Sequence, residues 1–372
     1  MSELPNLVLD HLATGRDLAS QAIAAVAPLL EPLEPVLFRE AFGKPAWMWL
    51  AFLALVLLLL AFDLGILHRR SRAIGVRESL ALSAGYILVA LAFGAWVWSS
   101  LGPEAGLNYL TGFFVEKSLA MDNVFVIAMI LGYFAIPRQY HHLVLFWGIL
   151  GVIVLRAIMI GLGAALIAEF HWVLYLFGAF LIVTGAKMLL FASHEKASLG
   201  GNPVLRLLQR RLRVTDRLHG ERFFVRLPDP ETGRPLLWAT PLFLALVLIE
   251  LADLVFAVDS VPAVFAITQD PFVVYTSNIF AILGLRALYF ALAAMIHRFR
   301  YLKYALALVL LFIGNKIFLA ELVGKIPPLV SLSVTLGLFA GGVLFSLWRT
   351  SRDNERTAPS SEHRGQPLRS QR

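Results

Sequence analysis

Two apolar stretches of this chain carry acids at matched intervals. One reads Glu116-KSLAM-Asp122-Asn123-VFVIA. The other places Glu250 just ahead of Asp253-LVFAV-Asp259-Ser260-VPAVFA. Carboxylates, an Asn amide oxygen and a Ser hydroxyl are hard oxygen donors, which suit Mn²⁺, Mg²⁺ or Ca²⁺. Met121, beside Asp122, could add a soft thioether that favours Mn²⁺ over Mg²⁺, although a methionine in a helix more often fills a packing gap. The chain has no cysteine, and its nine histidines fall in loops, tails or helix edges, so a Zn²⁺ or Cu⁺ site is not expected. The candidate metal ligands are therefore Glu116, Asp122, Asn123, Glu250, Asp253, Asp259 and Ser260.

Helix geometry sorts these residues onto faces. Six residues turn a helix by about 600°, which leaves Asp253 and Asp259 on different sides; seven residues return almost in phase. Glu116 then lines up with Asn123, and Asp253 with Ser260, with Glu250 one turn before Asp253. For both acids of one helix to meet one ion, the helix must unwind near Asp122 and near Asp259. Pro262 could do this in the second stretch, because it cannot donate to the Val258 carbonyl and crowds it. The first stretch has Phe125 at that place.

Five bases lie at comparable depth: Lys117, Arg156, Lys187, Arg286 and Lys316. Each charge buried in a bilayer costs about 2.5–3.5 kcal/mol on insertion scales, so such residues persist only facing one another, a cavity or an ion. Arg156, Lys187, Arg286 and Lys316 are candidate charge compensators. They either neutralise the acids until an ion arrives or lock the helices together permanently. Asp63, at the edge of the first apolar run, is an accessory candidate. Lys117 directly follows Glu116 and must point elsewhere.

The elements that position these charges are membrane helices. Of 372 residues, 59% are hydrophobic and 15% charged, against roughly 45–50% and 25% in soluble domains. Runs of about 20 apolar residues recur at 47–67, 76–98, 109–131, 143–168, 173–191, 238–267, 274–296, 304–322 and 329–348. With the N-terminus outside, 23 basic residues fall in cytoplasmic segments and 4 outside. That bias predicts nine spans with the C-terminus inside, in a bacterial inner membrane. It also accounts for the net charge of +7 without a nucleic-acid partner. The predicted organisation is an external lead over 1–46, a membrane half over 47–191, a basic cytoplasmic loop over 192–237, a second membrane half over 238–348 and a disordered cytoplasmic tail over 349–372. Arg206, Arg210, Arg211, Arg213 and Arg217 of the loop read either as a solvated linker or as a surface for anionic lipid headgroups. No Walker A, G-x-S-x-G, H-E-x-x-H or EF-hand pattern is present, so no enzyme and no permanently bound cofactor is expected.

An internal repeat orders the spans. After the two acidic stretches, VLRAIMIGLGAALI with Arg156 matches GLRALYFALAAMI with Arg286. LIVTGAKMLL with Lys187 then matches LLFIGNKIFL with Lys316. Three helices is an odd number, so residues 109–191 and 238–322 enter the bilayer with opposite orientation. Inverted repeats of this kind build secondary transporters whose site lies near the midplane. The fold class predicted is all-α: a polytopic membrane protein of about nine transmembrane helices with an inverted repeat of three.

The segment IELADLVFAVDSVPAVFAITQDPFVVYTSNIFAILGLRALYF (249–290), the Glu116-KSLAMDN stretch and AFDLGILHRR (61–70) resemble the TerC family of bacterial membrane proteins, with a layout similar to its Alx branch. The resemblance covers about 45–348. It implies export of Mn²⁺ as the transported ion, with Glu116, Asp122, Glu250, Asp253 and Asp259 as functional acids. Some members are thought to supply Mn²⁺ to proteins leaving the cell, which would make the translocation machinery a partner. Oxygen ligands alone would also admit Ca²⁺. An exporter of amino acids or other organic solutes is a further alternative, and so is a protein whose charges only pair. Burial disfavours an ionised carboxylate, so exchange of proton for ion is a coupling such acids could perform.

Overall fold

The computed structural model describes residues 37–68, 76–190, 203–228, 233–293, 302–324 and 326–357. It is the all-α membrane architecture that the composition predicts. Eight segments among the described residues are long and apolar enough to cross a membrane. They lie on α1 (Ala46–His68), α2 (Val76–Leu101), α4 (Arg138–Glu169), α5 (Val173–Leu190), α7 (Pro241–Phe265), α8 (Pro271–Leu283) with α9 (Leu285–Ala293), α10 (Leu302–Val323) and α11 (Pro328–Thr357). Helix α3 (Pro103–Tyr133) is 31 residues long but carries Glu116, Lys117 and Asp122 in its middle, too many charges to count by composition. A short helix α6 (Pro203–Arg211) and two hairpins, β1–β2 (Glu40–Ala41, Lys44–Pro45) and β3–β4 (Phe224–Pro228, Pro235–Ala239), complete the set.

Proline punctuates the bundle. Pro103, Pro241 and Pro271 stand in the first turn of α3, α7 and α8, where a missing N–H costs nothing and the fixed φ suits a helix. Asp270 caps α8, accepting from the Phe272 and Val273 amides at 3.0 and 3.4 Å, which satisfies two otherwise orphan donors. Pro262 lies inside α7, yet the helix runs on to Phe265. The unwinding near Asp259 that the proline predicts is absent: Pro262 removes one donor, to the Val258 carbonyl, while the Ala266 amide still donates to the Pro262 carbonyl at 2.9 Å.

The chain divides into two compact units, Met1–Phe62 and Asp63–Arg372. In the first, the β1–β2 hairpin precedes α1, and the Trp49 indole donates to the Ala41 carbonyl at 2.9 Å. The lead before residue 37 lies outside the described residues.

In the second unit, α5 and α10 cross at glycine. A Cβ on Gly314 would stand 2.8 Å from the Gly178 carbonyl, and one on Gly185 2.8 Å from the Ala307 carbonyl. Small residues let membrane helices approach this closely.

At one end of the bundle, Ile127, Leu131, Leu145, Leu248 and Leu288 join a buried apolar cluster. The 203–239 connection covers it. Leu205, Leu208 and Leu212 recur at three- and four-residue spacing and form a stripe. Leu205 is 2% exposed, and Leu208, Leu212, Val214 and Phe223 pack on the same cluster. The basic loop is thus a folded cap in its described part, not a solvated linker, because apolar residues alternate with its arginines. Arg206, Arg210, Arg211, Arg213 and Arg217 are exposed around it.

The tail also differs from expectation. Helix α11 continues to Thr357, since no glycine or proline interrupts 343–358; the rest of the predicted disordered tail lies outside the described residues.

Candidate functional site

The in-phase pairs on α3 and α7 face each other in the interior. Glu116 and Asn123 come from α3, Asp253 and Ser260 from α7, and all four are buried. Arg156 of α4, 2% exposed, enters between them. Its Nη1 donates to Glu116 Oε1 at 2.5 Å, Ser260 Oγ at 2.6 Å and Asn278 Oδ1 of α8 at 2.9 Å. Its Nε and Nη2 each reach an Asp253 carboxylate oxygen at 3.3 Å, the fork geometry that suits a carboxylate. Two amides close the ring: Asn123 Nδ2 donates to Asp253 Oδ1 at 2.7 Å, and Asn278 Nδ2 to Glu116 Oε2 at 3.1 Å.

Six side chains from four helices thus satisfy one another. Two carboxylates face one guanidinium, so the ionised centre carries one net negative charge. A crevice of about 20 Å³ adjoins Asn123 and Asp253, room for about one water and not for a hydrated ion. Among the described residues, no three His, Asp or Glu side chains converge as a metal cage.

The remaining candidates lie elsewhere. The Asp122 side chain is outside what the structure describes. Asp259 leaves the centre, as six-residue spacing requires, and faces Thr184 and Lys187 of α5. Glu250 is pressed against α4, where a Cβ on Gly151 would collide with its carboxylate. Its Oε2 is buried without a hydrogen-bond partner among the described residues. It borders a lateral apolar cavity of about 600 Å³ with Trp147, Val154 and Leu246. Met121 packs against the apolar cluster at the capped end. His141 bridges the Ile136 carbonyl at 2.9 Å and the Tyr289 hydroxyl at 3.0 Å.

The compensating bases divide likewise. Arg286, in the first turn of α9, pairs with the Asp63 carboxylate and donates to the Asp63 carbonyl at 3.0 Å; Tyr86 hydrogen-bonds the same carboxylate. Arg286 also lines the small crevice beside Asp253. Lys316 donates to Ser331 at 3.2 Å and borders a cavity of about 890 Å³ with Glu104, Asn108, Gln269 and Glu321. This cavity opens at the end of the bundle opposite the 203–239 cap, and Phe265 forms part of its wall.

Asn278 escapes the charge pattern, and the partner of Lys117 is not legible from it. Asn278 is uncharged, and its only sequence signal is a lone amide in the apolar run VVYTSNIFAIL. Lys117 was placed on α3 but without a partner; its ammonium reaches the Ala281 carbonyl of α8 at 3.0 Å.

These features define an integral membrane protein whose interior holds a closed polar centre built by acidic helices. The chain belongs to the integral membrane protein TerC family, whose model matches residues 101–354. It is 47% identical over 320 residues to an uncharacterized membrane protein of Myxococcus xanthus, covering 86% of this chain and 96% of that one. It is 45% identical over 322 residues to the putative membrane-bound redox modulator Alx of Escherichia coli, covering 84% and 98%. An uncharacterized membrane protein of Rickettsia bellii is 44% identical over 301 residues, covering 81% and 97%. No solved structure matches the chain.

Proposed function

We propose that this protein is a secondary transporter that exports Mn²⁺ from the cytoplasm through the Glu116–Asp253 centre. The observation that carries the reading is the closed ring itself. Two carboxylates from two different helices are held by one arginine, beside the oxygens of Ser260 and Asn278 and the amide of Asn123, which donates to Asp253. If Arg156 withdraws, a divalent cation matches the two carboxylates charge for charge and finds hard donors around it. The described conformation is then the arginine-filled one, in which the guanidinium stands in for the cargo.

The surroundings support alternating access. On one side of the centre lies the 890 Å³ cavity, with Glu104 and Glu321 at its wall. On the other lie a 20 Å³ crevice and the capped apolar cluster. The bias of basic residues toward the capped side supports assigning that side to the cytoplasm. The inverted repeat gains support from the α5–α10 crossing. Aligning Lys187 with Lys316 aligns Gly185 with Gly314 and Gly178 with Ala307, so the contact of Gly178 with Gly314 maps onto that of Ala307 with Gly185. Rocking of one triplet against the other would expose the centre to either side. Exchange of a proton for the ion on these acids is the proposed coupling. The word redox in the name of the Escherichia coli relative has no thiol to act through here, since the chain lacks cysteine.

The test is Mn²⁺ flux into proteoliposomes of purified protein, wild type beside Glu116→Gln and Asp253→Asn, with Ca²⁺, Mg²⁺ and Zn²⁺ as competitors. Wild type carries Mn²⁺ and both folded variants lose it. No flux from folded wild type under a pH gradient of either sign overturns the carrier reading. Delivery of Mn²⁺ to exported proteins would then be the function to pursue.

A further inference from the structure

The seventh apolar segment is not one helix. Helix α8 ends at Leu283, Gly284 stands between, and α9 begins at Leu285. In an unbroken helix the Ala281 carbonyl would serve the amide of Leu285. At the end of α8 such carbonyls run out of intrahelical partners and carry the negative end of the helix dipole. Deep in a membrane protein a bare carbonyl of this kind needs a partner. Lys117 of α3 supplies it. The residue is 6% exposed and its ammonium sits 3.0 Å from the Ala281 oxygen. It also lies so close to Gly284 that a Cβ there would stand 2.8 Å from Nζ and 3.2 Å from the Tyr86 Cβ. Its neighbour Glu116 does not pair with it, being held by Arg156 and Asn278.

We infer that Lys117 is a tethered cation: its ammonium fills a small monovalent-cation site at the break between α8 and α9, whose ligand is the Ala281 carbonyl. In transporters with broken helices, freed carbonyls at half-helix ends coordinate a dissolved ion. Here the ion is covalently attached, so the break is held without a dissolved monovalent co-ion. Lys117 acts as a positioning residue. By fixing the end of α8 it fixes Asn278, one turn earlier, against Glu116 and Arg156. The inference concerns the break and holds whether or not Mn²⁺ is the cargo.

The experiment is heat denaturation of the full-length protein in detergent, with the salt varied between ammonium, methylammonium and the bulky cation N-methylglucamine. Lys117→Ala vacates the site and melts below wild type. Ammonium and methylammonium raise its melting temperature by several degrees over N-methylglucamine, and leave wild type unmoved. Lys117→Met follows the path of the lysine but ends one atom short of the ammonium, carries no charge and is not rescued. An absence of ammonium-specific rescue in Lys117→Ala, or equal stabilisation of wild type, overturns the inference. Should Lys117→Ala fail to fold, Gly284→Ala decides. Its Cβ presses on the Lys117 ammonium, so it lowers the melting temperature of the otherwise wild-type protein and costs less in the Lys117→Met background. Equal losses in both backgrounds overturn the inference. These melts ask nothing of transport, so their failure and that of the Mn²⁺ reading are told apart by the flux assay.

Discussion

Replacing Arg156 by methionine separates a site that holds cargo from charges that merely pair. The side chain is 2% exposed and serves five acceptor atoms on Glu116, Asp253, Ser260 and Asn278. Methionine fills much of the volume and returns none of the charge. The ionised centre then goes from one net negative charge to two, both fully enclosed. Removing one partner of a buried ion pair typically costs about 3–5 kcal/mol, so Arg156→Met should melt well below wild type in metal-free buffer. A divalent cation should then reverse the order of effects. In wild type it must displace the guanidinium, whereas in the variant it meets two uncompensated carboxylates. Mn²⁺ at a hundred times its dissociation constant stabilises by about 2.7 kcal/mol, so Mn²⁺ should raise the melting temperature of Arg156→Met by more than it raises that of wild type. Flux should fall, because the counter-charge that refills the empty site is gone. The assay is a thermal melt in detergent, titrated with Mn²⁺ beside Ca²⁺ and Mg²⁺. A variant that melts like wild type, or that gains no more from Mn²⁺ than wild type does, refutes the argument that Arg156 occupies the place of the cargo.

Other substitutions probe the frame. Gly151→Val should displace the Glu250 carboxylate, which lies where the new side chain would go; an overpacking cost of about 1–3 kcal/mol is expected in a thermal melt. Asp63→Asn leaves Arg286 buried beside a neutral partner, and the further loss on adding Arg286→Gln should be smaller than in the native background, as a double-mutant cycle on melting temperature would show. Leu205→Ala should loosen the cap at a cost of about 2–5 kcal/mol, the range for truncating a buried leucine, and should speed protease cleavage within 203–239 of protein in detergent.

Much of the site is legible in the sequence because helix periodicity is reliable over two turns. The seven-residue spacing places Glu116 with Asn123 and Asp253 with Ser260, and the six-residue spacing separates Asp259 from Asp253. A buried arginine must find a carboxylate, so Arg156 follows once the acids are placed. What is not legible are choices that depend on three-dimensional neighbours. Pro262 looks like a break, yet α7 runs through it to Phe265. The real interruption is at Gly284, which looks like ordinary apolar helix until Lys117 is seen against it. Asn278 carries no charge to draw attention to it. The loop after α5 reads as basic, and its leucines show their purpose only when the apolar end of the bundle is there to receive them.

The two arginines that the repeat aligns do different work. Arg156 is spent on Glu116 and Asp253, at the junction of the two acidic helices. Arg286 is held by Asp63, outside the repeat, while lining the crevice beside Asp253. Positions matched by the proposed repeat have therefore settled into an asymmetric pairing. Under the proposed repeat, exchange of the two triplets' conformations would bring Arg286 toward the acids and release Arg156. The accessory helix bearing Asp63 then has a physical role, since it gives the idle arginine a carboxylate and keeps its charge from standing bare in the membrane. Without such a partner both guanidiniums would compete for one pair of carboxylates, and no place would be left for a cation.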